Sequence, residues 1–194
     1  MTEARPFYRR PLPLAAAGLT LVLGMAALAF AREHPVSETR FPVLEPHPST
    51  EHNLALYRYG TWVRASSVFW PALHHPGFAV DGRKTPSGAE KWASAPEDFS
   101  PWIEVRWDKP RHVSRVELIF SGRYEGAGTM RDYTLSCLGA ARHAEPLVVR
   151  DNGNDIASHE LVCDDAEGVR AEFRAGEGTA NDIVRLYELE VMGQ

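Results

Sequence analysis

The residues able to do chemistry are thinly spread along this chain. No Gly-x-Ser-x-Gly, no His-Glu-x-x-His and no phosphate-cradling glycine loop occurs, so the common local signatures of nucleophilic, zinc and phosphoryl-transfer catalysis are missing. The adjacent acids Glu97-Asp98 and Asp164-Asp165 point to opposite faces of an extended chain and form no acid/base pair. More suggestive are segments suited to holding a ligand. "VFWPALHHPG" gathers Phe69, Trp70, His74 and His75 in one aromatic and imidazole-rich loop, "SGRYEGAGTMRDY" offers Arg123, Tyr124 and Glu125, and "GEGTAND" offers Asn181. In "HPGFAVDGRKTPSGAEKW" an apolar run breaks at Asp81-Gly82, passes through a polar loop and ends on Trp92. By spacing alone that dipeptide is a turn. "RDNGNDIASHE" concentrates Asp151, Asn152, Asn154 and Asp155, and its Asn-Gly reads as a turn between strands.

The elements that must position these groups are strands. From Glu51 onward, short segments of period-two alternation are separated by Gly, Pro, Asp and Asn, with no long segment of helical period. "WIEVRW" sets Ile103, Val105 and Trp107 against Trp102, Glu104 and Arg106, and "SRVELIF" puts Val116, Leu118 and Phe120 on one face. "DYTLSCL" turns Tyr133, Leu135 and Cys137 inward, and "GVRAEFRA" does the same for Val169, Ala171 and Phe173. The pattern predicts an all-β sandwich. In "NDIVRLYELEVMGQ" the alternation changes phase, because Val184 and Leu186 share one parity and Leu189 and Val191 the other. A bulge near Glu188 accounts for it and re-aims a carboxylate.

Ahead of the sandwich, Arg5, Arg9 and Arg10 precede an uncharged run from Pro11 to Ala31. Residues 1–31 therefore read as a membrane-targeting segment with its start in the cytoplasm. Two fates fit. Ala29-Phe30-Ala31 is a small-x-small cleavage site, whereas about 20 apolar residues suffice to span a bilayer as a retained transmembrane helix. Residues 32–50, with Pro35, Pro42, Pro46 and Pro48, read as an extended spacer, leaving 51–194 as the folded domain. Of 194 residues 44% are hydrophobic and 24% charged, enough for one real core, and the net charge of -5 without basic clusters excludes a nucleic-acid partner. The two cysteines, Cys137 and Cys163, both lie beyond the targeting segment, where a disulfide persists; the alternative is two small buried hydrophobes on neighbouring strands.

Five fragments in order then carry a resemblance: "NLALYRYGTWVRASSVF", "AVDGRKT" followed by "EKWAS", "SPWIEVRWDKPRHVSRVELIF", "RDYTLSC" and "VRLYELEVMG". From Asn53 to Gly193 the chain resembles the discoidin, or coagulation factor 5/8 C-type, domains, which include many galactose-binding-like carbohydrate-binding modules. The resemblance implies a jelly-roll-like β-sandwich in which Trp92 packs in the core. It also implies a structural calcium loop clipping the two ends of the domain together. There Asp81 would supply a carboxylate, Thr85 a hydroxyl or carbonyl, Ala79 and Arg83 backbone carbonyls, and Glu188 the closing ligand from the last strand. Arg83-Lys84 departs from the pattern, since two cations could take the metal's place by pairing with Asp81 and Glu188.

Family members hold sugars with loops at one end of the sandwich, stacking an aromatic ring on the apolar face of a pyranose while polar groups bond its hydroxyls. The positions this implies are Trp70, His74, His75, Arg123, Glu125 and Asn181. The asparagine that often follows the arginine is replaced by Gly126, Ala127 and Gly128. The reading is a non-enzymatic binding module exported across a bacterial-type inner membrane. It is either a single-pass protein with a periplasmic domain or, if cleaved, a periplasmic or secreted one. Its partner is a glycan. The alternative is an anchored accessory subunit that docks onto a membrane protein complex through its sandwich and transmembrane helix, with Gly18 and Gly24 among the small residues available for helix packing.

Overall fold

A 19-residue strand would run about 60 Å if straight, far beyond what a domain of this size spans, so the longest strand of this protein must bend. The computed structural model describes residues 50–84, 90–126, 128–139, 145–174 and 183–194. The segments 1–31 and 32–49, Thr85 and Asn181, on which several expectations fall, lie outside the described residues. Among the described residues no helix is long and apolar enough to cross a membrane.

Among the described residues eight strands run in the order β1 (His52–Asn53), β2 (Trp62–Ala65), β3 (Trp92–Ala93), β4 (Trp102–Phe120), β5 (Tyr133–Leu138), β6 (Leu147–Val149), β7 (Ile156–Phe173) and β8 (Arg185–Gly193), with a helical turn, α1 (Gly122–Glu125), after β4. All described pairings are antiparallel. β4 and β7 form one long ribbon whose register shifts between Arg106 and Arg115. Pro110, which has no N–H for the ladder, lies within that interval, and Asp108 to Pro110 are exposed. The ribbon folds there. Its outer ends, Trp102–Arg106 with Gly168–Glu172, carry β2 on one side and β5 with β6 on the other, whereas its second half, Val113–Phe120 with Ile156–Cys163, carries β8 and β1. The result is a sandwich-like, all-antiparallel fold.

The core lies between the two halves, and the alternation of the sequence says why. Ile103, Val105, Trp107, Leu118, Phe120, Leu135, Val169, Ala171 and Phe173 are all buried. Phe120, at the far end of β4, meets Phe173 and Tyr133 with ring centroids 6.2 and 5.7 Å apart. Trp92 is buried against Phe173 at 6.1 Å and donates its indole N–H to the Ser67 carbonyl at 3.0 Å. Because the Phe173 amide also bonds the Pro101 carbonyl at 2.8 Å, both ends of β4 lie at the same end of the domain. Cys137 on β5 and Cys163 on the other half of β7 are joined by a disulfide, Cα atoms 6.5 Å apart. Closing a loop of sequence separation 26 restricts the unfolded chain by about 3–4 kcal/mol.

Candidate functional site

Two places bring the chemically equipped residues together. The first is where the Asp81 loop meets β8. Pro76–Val80 form a 3-10 turn, capped by the His75 Nδ1, which accepts from the Gly77 N–H at 3.0 Å. The imidazole predicted for ligand contact thus serves the backbone through Nδ1, and burial lowers its pKa. Asp81 ends the turn and accepts from the Arg83 N–H at 2.8 Å, while Gly82, at φ 80° and so in glycine's left-handed region, points its N–H at Glu188 Oε1, 3.0 Å away.

Glu188 owes its aim to a bulge. Ile119 pairs with Glu188 but Phe120 pairs with Leu186, so Tyr187 is the extra residue on β8 and Leu186, Tyr187, Glu188 and Leu189 are all buried. Among the described residues, Glu188 Oε2 has no hydrogen-bond partner. Its carboxyl is pushed up to about 9, chiefly by burial and further by the Asp81 and Glu190 charges, against the Gly82 N–H and Lys84. Asp81 is raised as well, again by burial first, and Tyr57 is driven to about 12 by burial and by Asp81 and Glu188.

The two cations of the loop do not complete this site. Arg83 reaches Asp81 only at 3.9 Å and pairs with Glu90 at 3.3 Å; Lys84 pairs with Glu190 at 2.7 Å and Glu117 at 3.5 Å. What remains is a pair of raised carboxyls, one with a bare buried oxygen. Among the described residues no three His, Cys, Asp or Glu side chains cluster, so a cation here would draw its remaining ligands from carbonyls such as those of Ala79 and Arg83. Hard oxygen donors on an irregular loop fit calcium in type and charge.

The second place is the end where β4 begins and finishes. Two loops are fastened there to one strand pair. Phe69 N–H bonds the Ala93 carbonyl at 2.8 Å, Ala93 pairs with Arg185, and the Arg185 carbonyl takes the Ser121 N–H at 3.2 Å. On the first loop Trp70 is 63% exposed and has φ 51°, a region a bulky residue adopts only at a cost. Its carbonyl accepts from the amides of Leu73 and His74 at 2.9 and 3.1 Å, and His74 stacks on Phe69 at 5.9 Å.

On the second loop, α1 presents Arg123 to solvent, where it makes no hydrogen bond or ion pair among the described residues, while its neighbours are tied down. Tyr124 donates its hydroxyl to the Lys84 carbonyl and sets its ring edge-on to Tyr187 at 5.0 Å. Glu125 accepts from Lys91 Nζ and from the Tyr187 hydroxyl at 2.9 Å. Glu125, expected at the ligand, is therefore engaged inward; its partner Lys91 is only 5% exposed, with Nζ 5.1 Å from the Tyr187 ring centre. Lys91 and Tyr187 were not foreseen. The phase change near Glu188 was the signal that could have found Tyr187, as the inserted residue. The sequence pattern also gives Asp98 no site role and does not single out Phe99.

No family model and no curated protein matches this sequence. Solved structures do match its fold, which is that of the galactose-binding-like, discoidin-like modules. Chitosan-binding module 1 from a chitosanase/glucanase of Paenibacillus sp. IK-5 is similar at 26% identity and a TM-score of 0.55, over 73% of this chain and 99% of that one. The lectin domain of lectinolysin, solved with Lewis B antigen, is similar at 23% identity and TM-score 0.59, over 74% and 97%. The family 32 carbohydrate-binding module of C. perfringens NanJ, solved with galactose, is similar at 18% and 0.53, over 68% and 93%.

Proposed function

We propose that this chain is a non-catalytic carbohydrate-binding module that holds its ligand at the loop end, with Trp70 as the stacking face and Arg123 and His74 as polar contacts. The observation that carries this reading is Trp70. A tryptophan held in left-handed backbone costs on the order of 1–3 kcal/mol, and exposing its ring forfeits burial; such strain persists where the surroundings over-determine it and where function uses it. Arg123 on the neighbouring loop adds donors suited to sugar hydroxyls. The sugar-binding structural neighbours support the same reading. Asn181 is the remaining contact proposed from the sequence.

We further propose calcium at Asp81 and Glu188, with Thr85 and the Ala79 and Arg83 carbonyls, as a structural ion. When bound it would supply charge for the two raised carboxyls and tie the Asp81 loop to β8. The apolar run Pro11–Ala31 supports export and tethering at an inner membrane, and the same run favours the second reading, an accessory subunit docked onto a membrane complex.

Glycan-array binding by the full chain in mild detergent, with calcium and again with chelator, tests the proposal. Saturable binding that falls at least tenfold in Trp70→Ala and Arg123→Ala is expected. No glycan bound by a folded chain in either condition would remove the carbohydrate reading in favour of the accessory subunit.

A further inference from the structure

The large apolar residue most exposed among the described ones is not Trp70 but Phe99, at 74%. It sits in "SAPEDFSP", a polar stretch far from Trp70 in sequence, yet the two loops are bound into one piece. Asp98, the residue before it, accepts from the hydroxyls of Ser66 and, at 2.7 Å, Ser67, and from the Ser100 N–H at 3.3 Å. The serines answer in turn: Ser67 Oγ accepts from the Ala95 N–H and Ser66 Oγ from the Trp102 N–H, each at 3.0 Å. Two hydroxyls and one carboxylate thus staple the base of the 66–75 loop to the 95–100 loop. Beyond the staple, each loop carries exposed aromatic surface: Phe69 and Trp70 on one, Phe99 on the other.

We infer that Phe99 is a second aromatic contact for the same ligand, and that the ligand is an oligosaccharide touching the protein through more than one sugar residue. This rests on the carbohydrate reading above. A single pyranose face is covered by one indole; aromatic surface on two rigidly joined loops is matched by a longer chain of rings. The charge of these two loops argues against an anionic lipid surface as the occupant. Neither 66–75 nor 94–101 contains Lys or Arg, and the second contributes Glu97 and Asp98 beside Phe99, whereas a loop that docks on an anionic leaflet is held there by basic residues near the surface. The exposed Glu97 carboxylate is instead a good acceptor for sugar hydroxyls. Asp98 acts as a positioning residue, because its oxygens are occupied by the staple.

The experiment is a length series on the full chain in detergent, comparing galactose and fucose as single residues with Lewis b and a chitosan tetramer. Wild type is expected to bind at least one extended glycan ten times or more tightly than any single sugar. Phe99→Ala should erase that gain while leaving single-sugar binding within twofold, and Phe99→Trp should restore it, which a merely structural role would not do. Asp98→Ala should lose the gain with Phe99 intact. Single and extended sugars bound equally, or a gain indifferent to Phe99, would overturn this inference and leave the carbohydrate reading standing. Absence of any glycan binding, or Phe99-dependent binding to phosphatidylcholine/phosphatidylglycerol vesicles in its place, would overturn both.

Discussion

Two glutamates of this domain are equally hidden and differently finished. Glu104 on β4 is 2% exposed, and its carboxylate receives Arg170 Nε and Nη2 at 2.9 and 2.6 Å and Arg106 Nε at 3.1 Å. The guanidiniums are themselves held against rings, Arg170 at 4.2 Å from the centre of Trp102 and Arg106 at 5.9 Å from Trp62. Glu188 on β8 is fully buried and receives one backbone N–H, leaving its second oxygen bare among the described residues. The difference separates structure from site. Where the protein supplies the whole counter-charge, a buried carboxylate is part of the architecture; where, among the described residues, it supplies one backbone donor, burial instead raises the carboxyl's pKa.

The largest effect should come from breaking the finished one. Glu104→Ala strands two guanidiniums on the outer face of β4 and β7 and is expected to cost about 3 kcal/mol, the low end for a broken buried pair because both arginines keep some solvent. Denaturant unfolding should give the same loss with calcium and with chelator, since Glu104 has no part in the cation loop.

Glu188 should behave oppositely, and pH sharpens the contrast. Its folded pKa, about 9, lies above the ordinary 4.5. The stability it contributes is complete below the unfolded value and is lost as pH rises from about 4.5 toward 9, because the unfolded chain ionises first. Thermal melts in chelator should therefore fall across that range. Glu188→Gln should flatten the fall and, at pH 8 without calcium, melt above wild type. Calcium should raise the wild-type midpoint most at high pH and leave Glu188→Gln unmoved; an equal calcium shift in both proteins would rule out the Asp81 and Glu188 site.

The contrast was half legible in the sequence. The parity change between Leu186 and Leu189 locates the bulge that turns Glu188 inward, a signal that needs no structure. Glu104 was assigned to the outer face by the same parity rule, correctly as to direction. Its burial was invisible, because it depends on Arg170 reaching over from β7 and on Trp62 of β2 meeting Arg106, pairings that no local period encodes. Strand existence and inward faces follow from alternation, since each is a local property, whereas the core role of Trp92 follows from the family resemblance of "EKWAS". The 19-residue β4, the return of both its ends to one place, and the Asp98 staple depend on pairings 28 to 36 residues apart or more, and no period encodes them. Phe99 escaped notice for that reason: a lone aromatic in a polar loop has no pattern to belong to.

Glu125 falls between the two glutamates and gives the smallest and most discriminating effect. Its carboxylate is one-third exposed and is met by Lys91 and the Tyr187 hydroxyl, a partial counterpart of the Glu104 arrangement at the end of α1. Glu125→Gln keeps the shape but removes the charge opposite a nearly buried lysine, and should cost about 1 kcal/mol of stability. If Glu125 supports Arg123 rather than touching sugar, Glu125→Gln should weaken glycan binding in wild type and do nothing further in Arg123→Ala, a coupling that a double-mutant cycle measures directly. Arg123→Ala alone should leave the midpoint within about 0.5 kcal/mol of wild type, as expected of an exposed side chain away from the core. Equal and additive losses from the two variants would instead return Glu125 to the ligand, as the sequence first suggested, and the inward bonds to Lys91 and Tyr187 would then have to open on binding.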